Sequence, residues 1–256
     1  MSYHRHDKIL NLYLTAGYPD SRTSRSLVQA LLDHPAVDMI ELGMPFSDPL
    51  ADGPVIQHTS QVALAAGMTM ERYFQLVASV ENHRNIPMIF MGYFNNVLQY
   101  GVERFIRQCT AHGIDSSILP DLPPEVYLRE YQSLFESSGL GLNFLVTPQS
   151  SDETIRRSDQ LCRRFIYLVS SGSTTGSAIA DQHRMEAYLQ RIEGMRLSSL
   201  RLVGFGISSH AHYQAACRLA DGAIVGSALM QHLTETNFDL TALAQFIQTI
   251  RYDHST

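Results

Sequence analysis

Short apolar runs recur along the 256-residue chain at fairly regular intervals, at 9–15, 39–43, 87–93, 116–121, 142–147, 165–170, 202–207 and 222–227. Each is bounded by Gly, Pro, Asp or Ser, as strands are. Their hydrophobicity is near-continuous rather than alternating, which predicts a sheet covered on both faces. Segments with helical spacing fill the gaps: 24–32 after a Pro-Asp-Ser start, 70–80 after Thr69 as N-cap, then 102–110, 125–137, 152–162, 178–192, 211–219 and 240–251. Eight strand–helix units in about 250 residues is the count for an α/β fold of the (β/α)8 TIM-barrel type, here one domain over 1–256. A doubly wound open sheet is the alternative. It usually has fewer strands, and no Gly-x-Gly-x-x-Gly follows the first strand to argue for a dinucleotide.

Composition narrows the class. Apolar residues make up 45% of the chain, ample for a packed core. No apolar run approaches a membrane span, and the start, Met1-Ser-Tyr-His-Arg-His-Asp, lacks the layout of a signal peptide. A net charge of −6 does not favour nucleic acid. The three cysteines, Cys109, Cys162 and Cys217, are scattered and odd in number; buried free thiols in a reducing cytoplasm are the simplest account. The 11 histidines form no metal motif, and the pairs His4/His6 and His210/His212 read as solvated surface residues.

The chemistry concentrates in residues 41–57, Glu-Leu-Gly-Met-Pro-Phe-Ser-Asp-Pro-Leu-Ala-Asp-Gly-Pro-Val-Ile-Gln. Glu41 and Asp52 bracket a Pro- and Gly-rich segment that follows a strand, a place suited to proton transfer. Capping of turns by Asp48 and Asp52 is the plainer reading. In a barrel, active residues come from the C-terminal ends of strands and the loops after them. Glu41, Asp52, Tyr93, Asp121, Tyr167 and Phe205 would then converge on one mouth. Two late segments suit phosphate: Gly204-Phe205-Gly206-Ile207-Ser208, and Gly226-Ser227 ahead of a short helix at 228–232. A helix N-terminus offers free N–H groups and the positive dipole end, and barrels often place phosphate after strands 7 and 8. Each glycine alone also serves plain backbone geometry. No Lys or Arg is obvious in these loops, so such a site relies on amides.

The stretch at 41–57 resembles the signature of the tryptophan synthase alpha chain family, as do Thr15-Ala16-Gly17-Tyr18-Pro19-Asp20, Asp121-Leu122-Pro123 with Glu125, Gly204-Phe205-Gly206-Ile207-Ser208 and Gly226-Ser227-Ala228. The resemblance covers nearly the whole chain. It implies a (β/α)8 barrel that cleaves indole-3-glycerol phosphate to indole and glyceraldehyde 3-phosphate in the cytoplasm, without metal or cofactor of its own. It implies a pyridoxal-phosphate beta subunit as partner in an α2β2 complex. By motif, Glu41 is the acid/base that protonates the indole ring at C3, and Asp52 accepts the indole N–H. Tyr167 lies near Glu41. Gly176, Gly206, Gly226 and Ser227 hold the phosphate. Phe205 and Ile224 form an apolar wall, and Thr175 meets the catalytic Asp. Pro45, Asp48, Asn95 and Asp121 match positions that face the beta subunit.

Departures from the family pattern accompany the resemblance. Ser171 replaces the usual Arg and Ser173 the usual Gly in the lid loop, where loss of a cation and a hinge would slow closure. Val55 replaces a Thr, His58-Thr59-Ser60 replaces an Asn-rich run, and the leading helix reads as truncated. Three functions follow: a working lyase, a subunit retained as an allosteric activator of its beta partner, and a related phosphate-binding barrel isomerase, which the Glu41/Asp52 signature opposes.

Overall fold

The computed structural model describes residues 8–49, 52–169, 178–204 and 206–252, with 178–182 as backbone alone. The strands are β1 (Ile9–Thr15), β2 (Met39–Gly43), β3 (Met88–Met91), β4 (Ile114–Ile118), β5 (Gly141–Leu142), β6 (Leu145–Val146), β7 (Phe165–Val169), β8 (Leu200–Gly204) and β9 (Gly222–Val225). All pair in parallel, in the order β5-β4-β3-β2-β1-β9-β8-β7-β6. The two ends of that order, β5 and β6, are separated in the chain by Asn143 and Phe144 alone. They are two halves of one interrupted strand, and the sheet closes on itself there. The Asn143 N–H donates to Ser117 O at 2.8 Å, and the Tyr167 N–H to Phe144 O at 2.9 Å. Closure selects the barrel over the open sheet.

The near-continuous apolar runs have the expected cause. In β1, Leu10, Leu12 and Leu14 pack outward with the helical layer, while Ile9 joins Met39, Ile89, Ile118, Phe165, Tyr167, Leu202 and Ile224 inside the barrel. Strand alternation therefore places Asn11, Tyr13 and Thr15 on the inner face of β1, and Glu41 and Gly43 on that of β2. The N-terminal face is tied by ion pairs between neighbouring segments. Arg164 grips Asp115 with two nitrogens, Arg201 Nε meets Asp221 at 2.9 Å, and Arg251 meets Asp38 at 3.0 Å. This face serves stability, as is usual in the fold.

The expected helices at 24–32, 70–80, 102–110, 152–162, 178–192, 211–219 and 240–251 are present with ends shifted by up to three residues. Asp20 caps Ser21–Asp33, and Thr69 caps Met70–Ala78 as expected. The short helix at 228–232 extends over Ser227–Glu235. Two helices went unforeseen, Pro54–Ala65 and Phe94–Tyr100. Pro54 reads as a breaker but stands in the first turn, where its missing N–H costs nothing. The expected helix at 125–137 is split by a π turn at Tyr127–Tyr131. Eight residues turn an α-helix about 80° past full turns. One extra residue removes most of that offset, so Tyr127 and Phe135 share a face and meet edge-on at 5.7 Å.

Cys109 and Cys217 are buried, Cys162 is half-buried, and all three are free thiols. His212 is exposed, as expected, but His210 is not a solvated surface residue. Its Nδ1 bonds Ile250 O at 3.0 Å and its Nε2 is buried. His4 and His6 lie outside the described residues. Among the described residues, no helix is long and apolar enough to cross a membrane.

Candidate active site

Glu41 sits inside the barrel on β2 and is 1% exposed. Asn11, one strand over, donates through Nδ2 to Glu41 Oε1 at 2.6 Å, while Oε2 has no partner. Burial pushes the Glu41 carboxyl up from 4.5 to about 8, and the Asn11 bond offsets part of that rise. An isolated carboxylate in an apolar interior is costly, so the acid keeps its proton near neutrality. Tyr13, in register with Glu41 across β1 and β2, packs its ring over Gly43. A Cβ at Gly43 would fall 2.2 Å from the Tyr13 hydroxyl.

Asp52 lies just before Gly53, the N-cap of the helix Pro54–Ala65, and lines a cavity of about 260 Å3 together with Tyr13, Ile56, Met91, Tyr167 and Ile224. Its carboxyl is pushed up from 3.8 to about 6 by burial. Buried Tyr167 is held well above the usual tyrosine range, first by burial and then by Glu41 and Asp52. Gly204 makes room for it, since a Cβ there would lie 2.2 Å from the Tyr167 ring and hydroxyl. Glu41 itself is not on the cavity wall. It lies deeper, electrostatically coupled to Tyr13 and Tyr167, which are.

The same cavity is also lined by Gly206, Ile207, Ser208, Gly226, Ser227 and Ala228. Gly206 has φ +76°, a conformation side chains resist. The helix Ser227–Glu235 starts here with no side chain capping it, and its first backbone bond runs from Met230 N to Gly226 O. The preceding amides therefore have no partner within the helix, and Ser227 and Ala228 line the cavity, an arrangement suited to a phosphate. Gln231, one turn on, also reaches the wall. Among the described residues, no Lys or Arg lines this cavity.

The loops after β2, β3 and β4 are knitted together. Phe46 stacks on Tyr93 at 4.7 Å, and Asn96 Nδ2 reaches Pro45 O at 3.5 Å. Asp121 accepts from the backbone N–H of Phe94 at 2.6 Å and of Asn95 at 3.3 Å, capping Phe94–Tyr100 from 27 residues away. Asp48, Asn95 and Asp121 are exposed on this rim, whereas Pro45 is buried within the chain.

The structure thus brings Asp52, Tyr167, Ile224, Gly206, Gly226 and Ser227 around one cavity with Glu41 beneath. Thr175, Gly176 and Phe205, and the departures Ser171 and Ser173, lie outside the described residues. Sequence reasoning missed Asn11, Tyr13 and Met91. Its one available signal was a polar Asn inside an otherwise apolar first strand.

The family model described as tryptophan synthase alpha chain matches residues 3–253. The tryptophan synthase alpha chain of Flavobacterium johnsoniae is 46% identical over 244 residues, covering 95% of both chains. That of Christiangramia forsetii is 47% identical over 228 residues, covering 89% of both. Among solved structures, the tryptophan synthase alpha chain from Legionella pneumophila aligns with a TM-score of 0.84 at 30% identity, over 95% of this chain and 90% of its own. Tryptophan synthase from M. tuberculosis in its aminoacrylate-bound form aligns at 0.82 and 31%, over 95% and 92%.

Proposed function

The chain belongs to the tryptophan synthase alpha chain family, whose reaction is cleavage of indole-3-glycerol phosphate, and we propose that Glu41, Asp52 and the cavity above them carry it out. One observation supports this reading most. A single cavity is lined both by Asp52, with buried Glu41 beneath it, and by an uncapped helix N-terminus, matching a substrate that carries both an indole and a phosphate. Relatives named as the alpha chain over nearly the whole length favour the lyase over a subunit kept only as an activator.

In this reading the indole lies toward Tyr167 and Ile224, and the phosphate toward the amides of Ser227, Ala228 and the Gly206 turn. Glu41 arrives protonated and gives its proton to indole C3. The ring becomes an indolenine cation, and the C–C bond to the glycerol chain then breaks easily. Asp52, ionised above about pH 6, accepts the indole N–H and stabilises the positive charge that develops there. Glu41, now a carboxylate, takes the proton of the glycerol hydroxyl as the aldehyde forms. The proton count balances and no cofactor enters. Indole leaves with glyceraldehyde 3-phosphate.

A beta-subunit partner goes with the family. We place its contact on the rim carrying Asp48, Asn95 and Asp121, in an α2β2 assembly whose pyridoxal phosphate sits in the partner. Glu41→Gln tests the assignment. Indole release should fall by roughly 10²–10⁴-fold with folding and partner binding retained, and undiminished release would remove Glu41 from the mechanism.

A further inference from the structure

We propose that Asn11 is a positioning residue for the proton transfer: by donating to Glu41 Oε1 it confines the acid's proton to Oε2, the buried oxygen that has no partner. The proposal rests on the reading of Glu41 as the acid/base.

The inner face of the barrel is filled by Ile9, Met39, Ile89, Ile118, Phe165, Leu202 and similar side chains. Asn11 breaks this apolar filling and is fully buried. Its Oδ1 has no partner, a cost that an apolar side chain of the same size would avoid. The compensation is the Nδ2 bond, at 2.6 Å the one hydrogen bond to the Glu41 side chain among the described residues. It spans adjacent strands, two registers apart: Asn11 pairs with Met39 and Tyr13 with Glu41.

An oxygen that accepts an N–H cannot also carry the acid's proton in the same direction. When Glu41 is protonated, the proton therefore resides on Oε2. When Glu41 has given that proton up, the same amide stabilises the carboxylate. One donor thus fixes which oxygen carries the transferable proton and steadies the charge left behind. Asn11 does not line the cavity, so its loss should affect turnover and not substrate affinity.

Asn11→Leu removes the donor while keeping the branching at Cγ. In the chain assayed with its beta partner, kcat should fall at least about tenfold with KM within about twofold. The alkaline limb of kcat/KM should move up by about one pH unit, because the carboxylate has lost its donor. The same upward displacement should appear in a carbon-13 NMR titration of the Glu41 carboxyl, a readout independent of turnover. Asn11→Thr, which keeps a donor on a shorter arm, should fall between the two and serves where the leucine variant folds poorly. An unmoved limb and titration would overturn the proposal while leaving Glu41 as the acid if Glu41→Gln is inactive. A downward displacement would reverse donor and acceptor and overturn it equally. Full cleavage by Glu41→Gln would sink both readings together.

Discussion

Burial pushes Glu41 up to about 8 and Asp52 up to about 6, so between those values Glu41 holds its proton while Asp52 is ionised. The profile of kcat/KM against pH should be bell-shaped, falling below about 6 as Asp52 protonates and above about 8 as Glu41 loses its proton. Asp52→Asn should lower the maximum and abolish the acid limb; a limb that persists unchanged belongs to another group. The same burial has a consequence for stability. In the unfolded chain Glu41 ionises near its usual 4.5, whereas in the fold it does so near 8, so the folded state binds the extra proton across that window. Stability from this residue is fully present below 4.5 and is lost as pH rises toward 8, by roughly 4–5 kcal/mol at most. Glu41→Gln should therefore overtake the parent chain in melting temperature as pH climbs from 5 to 8, and parallel melting curves would contradict the burial of a neutral acid. Beside the acids, two glycines make space for the two tyrosines. Gly204→Ala drives a Cβ into the Tyr167 ring; overpacking of this kind costs about 1–3 kcal/mol and should depress kcat as Tyr167 is displaced. A fully active, equally stable alanine variant would show that the ring moves freely. Glu41 was legible in the sequence because an acid ending an apolar strand stands out. Asn11 and Tyr13 were not, because their roles depend on the register between β1 and β2.

At the scale of elements, β1 and β2 are found where the apolar runs placed them, since a strand buried on both faces leaves an unbroken signature. Helices capped by their own neighbours, such as Met70–Ala78 behind Thr69, were equally readable. Phe94–Tyr100 was not, because its cap is the distant carboxylate of Asp121. The helix Ser227–Glu235 shows how a short element can act as a ligand site. Its first residues line the cavity with no Lys or Arg among the described residues there, so affinity for phosphate rests on backbone donors and the helix dipole. Ser227→Ala should then change KM for indole-3-glycerol phosphate by less than about threefold, since it leaves every amide in place. Ser227→Asp puts a carboxylate where the phosphate would sit and should raise KM by roughly 100-fold. It should not lower the melting temperature, because an acid at a helix N-terminus is itself favourable by about 0.3–1 kcal/mol. Steady-state kinetics and calorimetry on the pair separate the effects; an aspartate variant of normal KM would move the phosphate elsewhere.

For the whole molecule, eight repeats counted along the chain were enough to expect a barrel, but not to say how its last seam is sewn. The fifth run was expected as one strand at 142–147 and instead splits into two-residue pieces either side of Asn143 and Phe144. Asn143, 1% exposed, bridges the break. Its Oδ1 accepts the backbone N–H of Arg164 at 3.0 Å and of Phe165 at 3.2 Å, and its Nδ2 donates to Ser116 Oγ at 2.8 Å. One side chain thus ties β4 to β7 across a strand too short to do so by its own ladder. A leucine at 143 fills the space but leaves two backbone donors and a hydroxyl without partners, each costing about 1–3 kcal/mol when buried. Relaxation recovers part of this, so Asn143→Leu should lose about 2–5 kcal/mol and melt roughly 5–15 °C lower. Because β7 carries Tyr167, kcat should fall with it. Asn143→Asp keeps the acceptor and loses one donor, and should lie between the two. A leucine variant with unchanged melting would mean that the barrel closes through its strands alone.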